Sequence, residues 1–174
     1  MLATNNISPD EGRAKGPSVA TIVIQKNVMV SMRDGVQLAT DVYRLDGEAP
    51  ASVLLTRTPY DKEHTVSGST TFDILRAVQA GYTVVIQDVR GRFASEGAFN
   101  PHFQESHDGA DTIAWVAAQP WSCGVVGGFG GSYLGCTQKY CTICAGSCSR
   151  SFRKNCSDAL PVAKRCPMPE RHSS

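Results

Sequence analysis

Hydrophobic and polar positions follow short, ordered runs along most of the chain. Two β-rich runs, Ile22 to Met32 and Val36 to Tyr43, flank Asp34-Gly35, a dipeptide typical of the tight turn in a β-hairpin. A third run, Ser52 to Thr56, is short and almost entirely apolar, as in a strand that is covered on both faces. The pattern therefore predicts an antiparallel hairpin followed by a buried strand.

Helical and extended patterns alternate after that strand. Residues 73–80 carry apolar side chains at helical spacing, and Gly81 follows where a C-terminal cap is expected. Residues 82–87 are typical of another buried strand, and Asp108 to Gln119 of a second amphipathic helix that begins with acidic residues. A glycine-rich strand is predicted over residues 124–129. This order predicts an α/β fold, in which a hairpin and parallel strands form one mixed sheet with helices on both faces.

Composition and charge change along the chain. The 174 residues have a net charge of +1 and no long apolar run, so we expect a soluble, cytoplasmic protein with no nucleic-acid or membrane partner. Residues 1–135 hold ten Lys and Arg against fourteen Asp and Glu, a net charge of −4, whereas residues 136–174 hold seven against two, a net charge of +5. Six of the seven cysteines follow residue 135. We therefore predict a flexible lead-in over 1–20, a sheet domain over 21–138 and a distinct basic tail over 139–174.

The candidate chemistry lies directly after the last predicted strand, where residues 127–136 read GGFGGSYLGC. A serine hydroxyl is a weak nucleophile near neutral pH, and it needs a base and donors for the oxyanion that forms. A tight turn from a strand into a helix supplies donors, and only small residues fit around it. Ser132 is therefore the candidate nucleophile.

Two other interpretations of this stretch stay open: an incidental serine at a strand end, and a phosphate-binding loop. The strict pattern G-x-S-x-G is not met, because Leu134 stands at its second glycine and Gly135 comes one residue later. The dinucleotide pattern G-x-G-x-x-G also fails, because Tyr133 stands at its third glycine. The preceding strand favours the nucleophile, and no cofactor is expected.

Five blocks of the sequence carry a resemblance to a known family. They read VSMRDGVQLATDVYR, LLTRTPYDK, GYTVVIQDVRGRFASEG, DGADTIAWVAAQPW and GGFGGSYLG. In this order and spacing they resemble the N-terminal part of the Xaa-Pro dipeptidyl-peptidase-like serine hydrolases, also called the CocE/NonD family. The resemblance covers about residues 25–138. It implies an α/β-hydrolase sheet, incomplete in this chain, and hydrolysis of a small ester or a short peptide through an acyl-enzyme.

The resemblance implies roles for three residues. Ser132 matches the family's nucleophile, the backbone N–H of Tyr133 matches one oxyanion donor, and the phenol of Tyr60 in the T-P-Y block matches the other. From the residues alone, a half-buried aromatic at the sheet edge is an open alternative for Tyr60. No metal ligand is implied, and esterase and peptidase activities stay equally open.

The other charged residues near these blocks are interpreted as structural. Asp88 and Arg90 follow a strand, where such charges more often pair or hold loop backbone than catalyse. In this fold the order along the chain is serine, acid, histidine. His64, His102 and His107 precede the serine, so we expect them on the surface or in loops.

The acid and the base of the triad are expected to be absent. Asp158 and His172 do follow Ser132, but a parallel strand with its crossover needs about 30 residues and only 42 remain. We therefore expect little or no turnover from this chain.

Three interpretations of the tail stay open: a product of a reading-frame shift, a disulfide-linked segment and a zinc-binding module. We favour the reading-frame shift, because pattern, charge and composition change together at one point of the sequence. If the tail is a zinc-binding module, the alternative to a serine hydrolase is a non-catalytic zinc-binding or interaction protein built on a partial hydrolase core. Its ligands would come from Cys141, Cys144, Cys148, Cys156, Cys166 and His172.

Overall fold

A mixed sheet of five strands with helices forms residues 21–64 and 72–140, the part of the chain that the computed structural model describes. The strands are β1 (Ile22–Ser31), β2 (Gln37–Leu45), β3 (Ala51–Thr58), β4 (Thr83–Asp88) and β5 (Ser122–Gly128). The helices are α1 (Ile74–Gln79), α2 (Glu105–Ala117) and α3, which begins at 133 and reaches 140, the last described residue; residues 62–64 are also helical, at the edge of the first described range. The predicted α/β class is confirmed. Each helix in these ranges is too short or too polar to span a bilayer.

The strands lie in the order β1-β2-β4-β3-β5. The first two form the predicted antiparallel hairpin, and its turn is closed by the Met32 N–H, which donates to the Val36 carbonyl at 2.8 Å. Gly35 has a φ of 85°, which glycine adopts without strain. β2 is antiparallel to β4, whereas β3 runs parallel to both β4 and β5. The parallel part of the sheet therefore contains β5, which delivers the chain to Ser132.

Apolar side chains pack on both faces of the sheet, as expected for strands that are nearly continuous in apolar residues. Every residue of β4 is buried. One cluster contains Val116 of α2 together with Val85 of β4, and the other contains Val78 of α1 together with Val84. Because neighbouring residues of a strand point to opposite faces, α1 and α2 cover opposite faces of the sheet.

The prediction for the second helix was wrong at both ends. α2 begins at Glu105, three residues before the predicted start at Asp108, and the Glu105 carboxylate is buried against Arg57 of β3. It ends at Ala117, two residues before the predicted Gln119, because Pro120 disfavours helical backbone at the residue that precedes it.

The turn after β5 depends on a glycine at position 130. Gly130 has a φ of 131°, and a Cβ placed on it would lie 2.5 Å from the Cβ of Leu134. Leu134 stands where the strict pattern G-x-S-x-G has its second glycine, and its side chain fits because Gly130 has none. Gln138 of α3 also donates to the carbonyls of Leu55 and Phe129, both at 3.1 Å, which ties the helix to β3.

Replacing Gly130 by alanine is expected to lower the free energy of unfolding by about 2–4 kcal/mol. The substitution adds backbone strain of about 1–3 kcal/mol and an overpacked contact with Leu134 of similar size. Urea denaturation of the purified protein measures the difference.

Gly131→Ala is the matched control, because a Cβ at Gly131 has no atom within 4 Å. We expect it to change the free energy of unfolding by less than about 1 kcal/mol. Equal losses from Gly130→Ala and Gly131→Ala would contradict the tight turn described above.

Candidate active site

Ser132 lies at the turn between β5 and α3, with its side chain exposed. Its φ is 55°, a left-handed backbone that a residue other than glycine adopts at a cost. The carbonyl of Ser132 accepts from the Cys136 N–H at 3.0 Å, which is the first hydrogen-bonded turn of α3. The N–H groups that open a helix have no partner within it, so the start of α3 offers donors beside the serine hydroxyl.

Tyr133 follows the serine and is anchored by its phenol. The hydroxyl donates to Glu105 Oε1 at 3.0 Å and accepts from the His102 N–H at 3.4 Å. The rings of His102 and Tyr133 lie 4.7 Å apart. Burial and the negative charge of Glu105 raise the pKa of Tyr133 to about 12. The phenol is therefore protonated near neutral pH and acts as a donor.

Tyr60 lies in the loop that follows β3, close to the same turn. Its backbone N–H donates to Thr58 Oγ1 at 3.0 Å, and its side chain is 56% exposed. Its ring meets the ring of Tyr133 edge to face, with 6.3 Å between the centroids. The fold thus brings together the three residues to which the sequence assigned chemistry: Ser132 and Tyr133 as chain neighbours, and Tyr60 through its ring contact with Tyr133.

The loop that carries Tyr60 is held by an arginine from the next loop along the sheet edge. Arg92 Nε donates to the carbonyl of Pro59 at 3.0 Å. Its guanidinium lies 5.1 Å from the ring of Phe93 and 5.2 Å from that of Phe99. These contacts restrain the backbone just before Tyr60 and leave its phenol exposed.

Asp88 and Arg90 hold other elements in place. Asp88 accepts from the backbone N–H of Lys62 at 2.8 Å and from its Nζ at 3.2 Å, while burial raises the pKa of the carboxyl. Arg90 lies 2.7 Å from a carboxylate oxygen of Asp34 in the hairpin turn and 2.7 Å from one of Asp108 in α2. Asp88 is thus paired with one lysine and Arg90 with two carboxylates, which agrees with structural roles for both residues.

Sequence reasoning missed the charged residues beneath the turn. Arg57, on β3, is 1% exposed, and its Nη1 lies 2.7 Å from Glu105 Oε2. Its Nε donates to Gln87 Oε1 at 2.8 Å. The predicted strand ended at Thr56, whereas β3 continues to Thr58 and includes Arg57. A lone arginine directly after an apolar run was the signal in the sequence that could have identified it.

The catalytic partners of Ser132 have no counterpart among the described residues. His64, His102 and His107 are all exposed, as predicted. Across residues 21–64 and 72–140, no histidine or carboxylate hydrogen-bonds to the Ser132 hydroxyl, and no cluster of His, Cys, Asp and Glu could hold a metal ion. The six residues proposed as zinc ligands lie outside the described ranges.

Comparisons with known proteins identify relatives of this chain. Residues 34–143 match the family model described as X-Pro dipeptidyl-peptidase (S15 family). Cocaine esterase from Rhodococcus sp. (strain MB1 Bresler) is 53% identical over 116 residues, which are 66% of this chain and 20% of the esterase. The chain therefore spans about a fifth of the length of this relative.

Solved structures give the same relationship. An α-amino acid ester hydrolase superposes with a TM-score of 0.57 at 33% identity, over 75% of this chain and 25% of that one. A CocE/NonD family hydrolase from Staphylococcus aureus has a TM-score of 0.60 at 27% identity, over 68% of this chain and 24% of that one. On these matches, the chain belongs to the X-Pro dipeptidyl-peptidase (S15) family of serine hydrolases.

Proposed function

We propose that this chain carries the nucleophile and the oxyanion donors of a site that hydrolyses ester or amide bonds through an acyl-enzyme. The observation that carries the proposal is the φ of 55° at Ser132, between a parallel strand and a helix. Unfavourable backbone of this kind persists where neighbouring contacts hold it, and it is concentrated at functional sites. Here Gly130 and the contacts of α3 with β3 hold it.

In the proposed reaction, Ser132 Oγ attacks the carbonyl carbon of the substrate, and the hydroxyl proton passes to a base. The negative charge that develops on the carbonyl oxygen is received by the Tyr133 N–H and the Tyr60 phenol. Collapse of this intermediate expels the alcohol or amine, which takes up the proton, and leaves an acyl group on Ser132. Water then attacks the acyl-enzyme and releases the acid.

The substrate that we propose is a small ester or a short peptide. One relative is named as an esterase of cocaine and one as a hydrolase of α-amino acid esters. Tyr60 and Ser132 are both exposed, so an acyl group reaches the turn from solvent. Transfer of an acyl group to serine is the same chemical step for esters and amides, and both substrate classes belong in the test.

We also propose that this chain alone has little or no turnover. No base touches Ser132 in the described ranges, and removing the base of a serine triad lowers the rate by several orders of magnitude. The oxyanion donors retain a smaller part of the rate enhancement. Slow, single-event acylation at Ser132 is therefore the expected behaviour.

A fluorophosphonate is expected to label Ser132 slowly and selectively, because its phosphoryl oxygen uses the same oxyanion donors as a carbonyl oxygen. Intact-mass spectrometry with peptide mapping locates the label after prolonged incubation. Ser132→Ala should lose the label, whereas Ser31→Ala, at another exposed serine, should retain it. Labelling spread over several serines would contradict the nucleophile. Rapid burst release from an activated ester, abolished in Ser132→Ala, would contradict the slow acylation, and sustained release beyond one equivalent would contradict the low turnover.

Removing the Tyr60 phenol is expected to slow this labelling by about a hundred- to a thousandfold, because one of two oxyanion donors is lost. Tyr60→Phe leaves the ring and its contact with Tyr133 in place. Tyr82→Phe, just before β4, is the control and should label at the original rate. An unchanged rate in Tyr60→Phe would remove Tyr60 from the site.

A further inference from the structure

The backbone and the side chain of Tyr133 lie next to two different parts of the molecule. The backbone N–H is adjacent to Ser132 in the turn, whereas the phenol reaches Glu105 at the start of α2. Because Tyr133 is the first residue of α3, an anchored phenol limits the positions open to the backbone that begins the helix. A contact that fixes the phenol therefore also restrains the N–H.

Glu105 is itself held tightly. Its carboxylate bridges two groups: Oε1 accepts from the Tyr133 phenol at 3.0 Å, and Oε2 lies 2.7 Å from Arg57 Nη1. Arg57 Nη1 also donates to the backbone carbonyl of Glu105 at 3.1 Å. The side chains of Arg57 and Glu105 are 1% and 5% exposed, so solvent does not weaken the pair. The phenol is thus bound to an acceptor that has little freedom to move.

A second contact joins α3 to the same arginine. Thr137 Oγ1 donates to the carbonyl of Leu134 in its own helix at 2.7 Å, and it lies 3.3 Å from the backbone carbonyl of Arg57. Tyr133 and Thr137 are four residues apart and share one face of the helix. One turn of α3 therefore lies against Arg57 at both ends, through the hydrogen bond to Glu105 at its start and through the contact of Thr137 with the Arg57 carbonyl.

We infer that Glu105 is a positioning residue: acting through the phenol of Tyr133, its carboxylate fixes the start of α3 and with it the N–H that would receive the oxyanion. The catalytic consequence rests on the proposed function of Ser132. The contact itself does not, so the two are tested separately.

The first experiment observes the position of the Tyr133 N–H directly. In protein labelled with ¹⁵N-tyrosine, the amide resonance that disappears in Tyr133→Phe belongs to Tyr133. Glu105→Gln should shift this resonance more than that of any other tyrosine. Glu105→Asp keeps a negative charge opposite Arg57 but shortens its reach to the phenol, and it should shift the same resonance even if Glu105→Gln does not fold. An unchanged Tyr133 resonance in either folded variant would overturn the inference.

The second experiment measures the consequence for Ser132. Tyr133→Phe leaves the backbone N–H and the Arg57 ion pair in place, and it should lower the maximal rate of fluorophosphonate labelling about tenfold with an unchanged half-saturating concentration. The double variant Tyr133→Phe with Glu105→Asp should be labelled little more slowly than Tyr133→Phe alone, because both substitutions remove the same hydrogen bond. Tyr140→Phe, on the same helix, is the control and should keep the original rate.

The outcomes separate the two claims. An unlabelled Ser132 together with a Tyr133 resonance that responds to Glu105 would reject the serine hydrolase and keep the anchored helix. Labelling that is normal in Tyr133→Phe would reject the positioning role and keep the nucleophile.

Discussion

A guanidinium group buried in the sheet is the constraint on which the site depends. Arg57 is 1% exposed, and a charge at that depth destabilises the fold unless carboxylates and other acceptors surround it. Glu105 and Gln87 supply those acceptors, at 2.7 and 2.8 Å. Because Glu105 is the first residue of α2, its ion pair with the arginine ties the start of that helix to β3. The same carboxylate then accepts the phenol of Tyr133.

The turn that carries Ser132 combines this anchoring with a steric requirement. Left-handed backbone at Ser132 is unfavourable on its own, and the fold compensates through contacts on either side. Gly130 leaves space for Leu134, while Gln138 binds α3 to the backbone of β3. The strict glycine pattern is therefore one solution to a spatial requirement, and this chain uses another.

The sequence predicted what depends on local pattern. The hairpin around Gly35 and the buried strand β4 follow from turn chemistry and apolar runs, which act over a few residues. The start of α2 could not be predicted in this way, because Glu105 is buried by Arg57, which lies 48 residues away along the chain. The role proposed for Ser132 was predicted from the glycine-rich turn and from resemblance to a family, and that of Tyr60 from the resemblance. Their proximity depends on how β3 and β5 pair.

A crystal structure of the phosphonylated chain would test the central claim most directly. We predict that phosphorus is bound to Ser132 Oγ, with the phosphoryl oxygen about 2.7–3.1 Å from the Tyr133 nitrogen and about 2.5–3.0 Å from the Tyr60 hydroxyl. A phosphoryl oxygen that faces solvent, with neither donor in reach, would contradict the oxyanion site that we assign to this turn.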